Sequence, residues 1–100
     1  SLREAEVGEE VRAFLKRLGW KVYSLAQGRY TRQTPGLPDL WAMHPAGRPP
    51  FFVELKSETG HMSDDQREFQ SLCLDAGIGH VVGGVAQVMA YLKRIGLLGA

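Results

Sequence analysis

Apolar positions recur along the chain with two different periods. Over residues 3–18, Val7, Val11, Phe14, Leu15 and Leu18 return at helical spacing, and Gly19 supplies a stop. "WKVYSL" (20–25) then alternates, which predicts a strand with apolar groups on both sides. The segment Ala26–Pro38 is polar and carries Gly and Pro, so it reads as a loop. "DLWAMH" (39–44) and "FFVELK" (51–56) are β-rich runs separated by the turn "PAGRPP" (45–50), a pattern that predicts an antiparallel hairpin.

Helical spacing returns after "SETGH". Ser63 with Gln66 three residues on is a capping-box pattern. Phe69, Leu72, Cys73 and Ala76 are expected on the inner face of that helix, and Gly77 and Gly79 end it. "HVVGG" (80–84) reads as a short strand. "VAQVMAYLKRIG" (85–96) reads as a helix with Val85, Val88, Met89 and Leu92 turned inward. The order is α-β-β-β-α-β-α, so the expected fold is α/β, a mixed sheet of about four strands flanked by helices.

Length fits one domain over residues 1–100 with a single core. No apolar run approaches the roughly 20 residues of a membrane span. No N-terminal stretch has signal-peptide character, so an unsecreted, cytoplasmic protein is expected. The one cysteine, Cys73, excludes an intrachain disulfide and is expected to be a buried thiol. A net charge of +1 gives no overall basic coat, so any nucleic-acid contact must come from a local patch. His44, His61 and His80 show no zinc-ligand spacing with one another or with Cys73. No Gly-rich phosphate cradle indicates a nucleotide cofactor.

The strand 51–56 carries the candidate chemistry. Alternation puts Phe51, Val53 and Leu55 on one face and Phe52, Glu54 and Lys56 on the other. If Asp39 starts the neighbouring antiparallel strand, its carboxylate reaches the same sheet end. Two carboxylates then converge beside one amine. Such a pair repels and loses hydration unless a cation lies between them. Both are hard oxygen ligands suited to Mg²⁺ or Mn²⁺, and an adjacent lysine can position a water or stabilise charge on a phosphate. That is equipment for metal-assisted phosphodiester hydrolysis. An isolated Glu-x-Lys would be only a surface pair worth under ~1 kcal/mol. The preceding Pro-Asp changes its meaning.

"PDL" followed by "VELK" resembles the PD-(D/E)xK nuclease signature. The longer stretch "TPGLPDLWAMHPAGRPPFFVELKSETGHMSDDQREF" (34–69) resembles the VRR-NUC (virus-type replication-repair nuclease) family. The resemblance implies a restriction-endonuclease-like core and Mg²⁺- or Mn²⁺-dependent cleavage of DNA, leaving a 5′-phosphate and a 3′-hydroxyl. It implies that Asp39, Glu54 and the Leu55 carbonyl hold the metal and that Lys56 is the catalytic lysine. It further implies action on branched or junction DNA in replication, repair or recombination, as a homodimer, in a bacterial or phage setting. A DNA-binding module of the same fold with a degenerate site is the alternative.

The family also tends to place an acid from the first helix at the metal. Glu4 falls on the stripe of Val7 and Val11 and is the preferred ligand; Glu10, at the stripe's margin, is the second choice. Related resolvases often carry this acid where the chain has Gly8, so Gly8 either admits a close neighbour or marks a lost side chain. Gln66 has two readings, as the reciprocal partner of Ser63 and, by the resemblance, as a polar contact to a metal-bound water or a DNA phosphate. In the loop, Arg29, Tyr30, Thr31, Arg32 and Gln33 combine cations, hydroxyls and an aromatic ring, which suits contact with DNA.

Overall fold

The structure is a computed structural model, and it describes residues 2–25 and 34–99. The elements are α1 (Glu4–Arg17), β1 (Lys21–Ser24), β2 (Leu40–Met43), β3 (Phe51–Leu55), α2 (Asp64–Ala76), β4 (Gly79–Gly83) and α3 (Val85–Arg94). This is the order the sequence predicts. The proposed DNA-contact residues Arg29 to Gln33 lie outside the described residues. No described helix is long and apolar enough to cross a membrane.

The sheet runs β1-β2-β3-β4. β1 pairs antiparallel with β2, and β2 antiparallel with β3. β4 lies parallel to β3. Parallel strands need a crossover, and α2 supplies it. The β2–β3 turn is closed by the Gly47 N–H donating to the His44 carbonyl at 3.1 Å. The His44 ring bonds the Leu18 carbonyl at 3.0 Å, tying this turn to the end of α1. His44 therefore has a structural post, as its lack of metal-ligand spacing suggested.

The core lies on one face of the sheet. Phe51, Val53 and Leu55 from β3 meet Val7, Val11 and Leu15 from α1 and Val88 and Leu92 from α3. The opposite face carries Phe52 and Glu54, with α2 above it. Here Trp41, Phe52, Phe69 and His80 form a chain of rings with successive centroids 4.4, 5.1 and 6.1 Å apart. Burial lowers the pKa of His80, which keeps its ring neutral.

The inner face of α2 differs from expectation. Cys73 is buried and Phe69 is half-buried, but Leu72 is 60% exposed and Ala76 is also exposed. The reason is the narrow seat of this helix. Gln66, Phe69 and Cys73 fall on one stripe facing the sheet, and Leu72 points about a quarter-turn away from it. Leu74 is 81% exposed on the outer side.

Candidate active site

The site forms where β2 begins and β3 ends. The Asp39 N–H donates to the Val53 carbonyl at 3.1 Å, which extends the hairpin ladder one residue beyond Leu40. The Asp39 carbonyl accepts from the Leu25 N–H at 2.8 Å, so the backbone here is fixed from both sides. The approach to Asp39 depends on Gly36, whose φ is +86°. A Cβ at that position would collide with the Asp65 backbone at the start of α2, so only glycine brings the loop this close.

The Asp39 carboxylate is directed by the next strand, its Oδ2 accepting the Leu55 N–H at 2.8 Å. Glu54, from the α2 face of β3, is 2% exposed. Its Oε2 accepts from Gln66 Nε2 at 3.0 Å and lies 3.6 Å from Lys56 Nζ. Its Oε1 is buried without a hydrogen-bond partner among the described residues. Burial pushes the Glu54 carboxyl up to about 8. The neighbouring Asp39 carboxylate adds to this, because it favours the protonated form of Glu54 and repels the ionised one; Lys56 opposes the shift.

Lys56 follows β3 directly, and its N–H donates to the Gly83 carbonyl at 3.1 Å. Its side chain is 14% exposed and also lies 4.0 Å from Glu4 Oε1. The residues expected to assemble, Asp39, Glu54 and Lys56, do come together, and Gln66 joins them.

Gln66 takes the capping post through one end of its amide and turns the other end towards the carboxylates. Its Oε1 accepts the Ser63 N–H at 2.8 Å, and its backbone N–H donates to Ser63 Oγ at 3.2 Å. Its Nε2 reaches Glu54 itself. A hollow of about 180 Å³ opens beside Asp39 and Gln66, walled by Thr34 to Leu37.

The first helix departs from expectation. Glu4 does not lie on the buried stripe; its side chain is 58% exposed. It belongs to the opening turn of α1, ahead of Val7, where burial of the helix begins. From there it approaches Lys56. Glu10 is exposed and lines a separate hollow of about 140 Å³ with Lys56, Glu58 and Gly84. Among the described residues, no three His, Cys, Asp or Glu side chains are grouped to hold a metal. The anionic centre is the pair Asp39 and Glu54.

Gly8 is explained by its neighbours. A Cβ there would stand 3.0 Å from Arg12 Nη1 and 3.0 Å from Leu55 Cδ1. The bare backbone lets Leu55 pack against α1 and lets the Arg12 side chain lie back across the helix, where Nη2 donates to Ser24 Oγ at 3.0 Å. Sequence reasoning passed over Arg12. The available signal was its place four residues after a helical glycine, on the same face.

The Asp39–Glu54 pair fits a hard divalent cation. It combines a buried carboxylate, an oxygen without a donor and a second carboxylate that repels the first. Mg²⁺ keeps several waters and is commonly bound by one or two carboxylates, so two suffice.

A family model for the VRR-NUC domain matches residues 3–88. A solved structure of a VRR-NUC domain superposes with a TM-score of 0.72 at 24% identity, covering 94% of this chain and 97% of that one. At that identity the likeness speaks to the fold. No curated protein matches the chain.

Proposed function

The chain belongs to the VRR-NUC family of nuclease-type domains, and from that premise we propose that it is a deoxyribonuclease hydrolysing phosphodiester bonds with Mg²⁺ or Mn²⁺. The observation that carries this reading is Glu54, a buried carboxylate with a bare Oε1 set between Asp39 and Lys56.

Asp39, Glu54 and the Leu55 carbonyl would hold the ion. When bound, it would supply Lewis-acid polarisation of the scissile phosphate and a more acidic water. Gln66 fixes the Glu54 rotamer through Oε2, which leaves Oε1 for the ion. The Leu55 N–H does the same for Asp39. The Lys56 ammonium, held between Glu54 and Glu4, orients the attacking water and stabilises charge developing on the phosphate. Glu4 acts on the reaction through Lys56. Parts held in this way before substrate arrives would leave little reorganisation to accompany the chemistry.

Branched DNA and a homodimer complete the proposal. A domain of this size has little surface with which to hold a junction alone. Exposed Leu74 and Ile78, which share one hollow at the end of α2, give it an apolar margin suited to a second copy. A panel of flap, junction, duplex and single-stranded DNA, incubated with Mg²⁺ and with Mn²⁺, tests the activity. Cutting that is abolished by EDTA and by Glu54→Gln is the expected result. Undiminished cutting by Glu54→Gln refutes the mechanism. Light scattering that reports only monomer at high concentration refutes the dimer.

A further inference from the structure

A groove of about 640 Å³ runs between α1 and β1, away from the carboxylate pair. Three cations line it, Arg12, Lys16 and Lys21, and no acidic residue does. All three are exposed, and none forms an ion pair among the described residues. Three unneutralised cations along one groove repel one another, and a chain of negative charge relieves that repulsion.

Arg12 is the best defined of the three. Gly8 gives its side chain room and Ser24 pins Nη2, which is its one hydrogen bond among the described residues. A guanidinium has five N–H donors in a rigid fork matched to phosphate oxygens, and the Ser24 bond uses one of them. Ser24 pairs with Leu40, the residue after Asp39. The Arg12 anchor is therefore at the catalytic end of the sheet, two strands from β3, or roughly 10 Å.

We propose that this groove is a second nucleic-acid contact, gripping the phosphate backbone of the substrate through Arg12, Lys16 and Lys21 beyond the scissile bond. The proposal rests on the nuclease reading for its substrate and on the groove for its location. Lys21 on the outer strand β1 also disfavours the rival use of that edge, pairing with another strand. The contact reads charge and not sequence, because phosphate contacts position a duplex without specifying bases.

The test is fluorescence anisotropy of a labelled 20-base-pair duplex in EDTA, over a series of salt concentrations. Each lost phosphate contact lowers the slope of log K against log salt by about 0.9. Lys16→Gln/Lys21→Gln, which leaves the Arg12–Ser24 bond intact, should lower it by about 2. Adding Arg12→Gln should bring the loss to about 3 and weaken binding roughly 10- to 100-fold at moderate salt. Lys93→Gln, outside the groove, should leave the slope unchanged. A triple variant with the wild-type slope overturns the groove even if cleavage is intact, and so does a wild-type protein that binds no duplex at low salt. A wild-type protein that binds with the predicted slopes but fails to cut with every metal tried supports the groove and refutes the nuclease reading instead.

Discussion

Glu54→Gln should stabilise the metal-free protein at high pH while abolishing its activity. The Glu54 carboxyl is pushed up to about 8 from an ordinary 4.5, by burial first and by Asp39 second. Below the ordinary value both folded and unfolded chains hold this proton, and the group contributes nothing. Between the two values the folded chain keeps a proton that the unfolded chain has lost. Stability therefore falls as pH rises, by at most about 1.4 kcal/mol per pH unit for one proton. Over the whole window the limit is about 5 kcal/mol, and relaxation around the ionised pair would reduce it to about 2 kcal/mol. The amide that Glu54→Gln introduces carries no charge. Its oxygen still accepts from Gln66, and its NH₂ gives the pair a donor. For a domain of this size, about 2 kcal/mol corresponds to roughly 10 °C in Tm. The assay is thermal unfolding of both proteins in EDTA from pH 5 to pH 9. The melting curves should coincide at the acid end and separate towards pH 9, with the variant higher. Millimolar Mg²⁺ should raise the wild type and leave the variant where it was. If the two proteins track each other across the range without metal, Glu54 is not the strained carboxylate described above.

Asp39→Asn keeps an acceptor for the Leu55 N–H, so it should retain the fold within about 1 kcal/mol by urea denaturation and lose Mg²⁺-dependent cutting; full activity would remove Asp39 from the centre. Lys56→Met should lose cutting while calorimetry still records Mg²⁺ binding, and lost binding would contradict its assignment to the water and phosphate. Gln66→Ala removes the bond to the Ser63 N–H and the support of Glu54 together. It should cost about 1–2 kcal/mol of stability and weaken Mg²⁺ binding roughly 10- to 100-fold by calorimetry, whereas a stability loss with unchanged metal affinity would make Gln66 a helix cap alone.

The order of elements was legible because most of them bury one face, and a half-buried strand or helix writes its period into the sequence. The Asp39–Glu54–Lys56 centre was legible for the same reason, since alternation fixed the face and the hairpin fixed the neighbour. Two readings failed where burial depends on neighbours in space. Leu72 has the spacing of an inner residue, but the sheet under α2 is too narrow to cover it. Glu4 has the phase of the core stripe, but it precedes the first buried turn, so phase alone could not bury it. Arg12 looked like an ordinary exposed cation. Its direction comes from a missing Cβ at Gly8 and a hydroxyl on another strand, and neither has a periodic signature.

The β2–β3 hairpin turns at the end of the sheet away from the site, and a Cβ at Gly47 would meet nothing within 4 Å. The chemistry is thus encoded in parity. Asp39 and Glu54 meet because the strand residues between them keep an even-and-odd count, while the turn joining the strands can lengthen freely. Two glycines added after Gly47 should leave DNA cutting intact. One residue inserted between Phe52 and Val53 would turn the Glu54 side chain into the core and bring an apolar group to the site, and retained cutting in that protein would contradict the register.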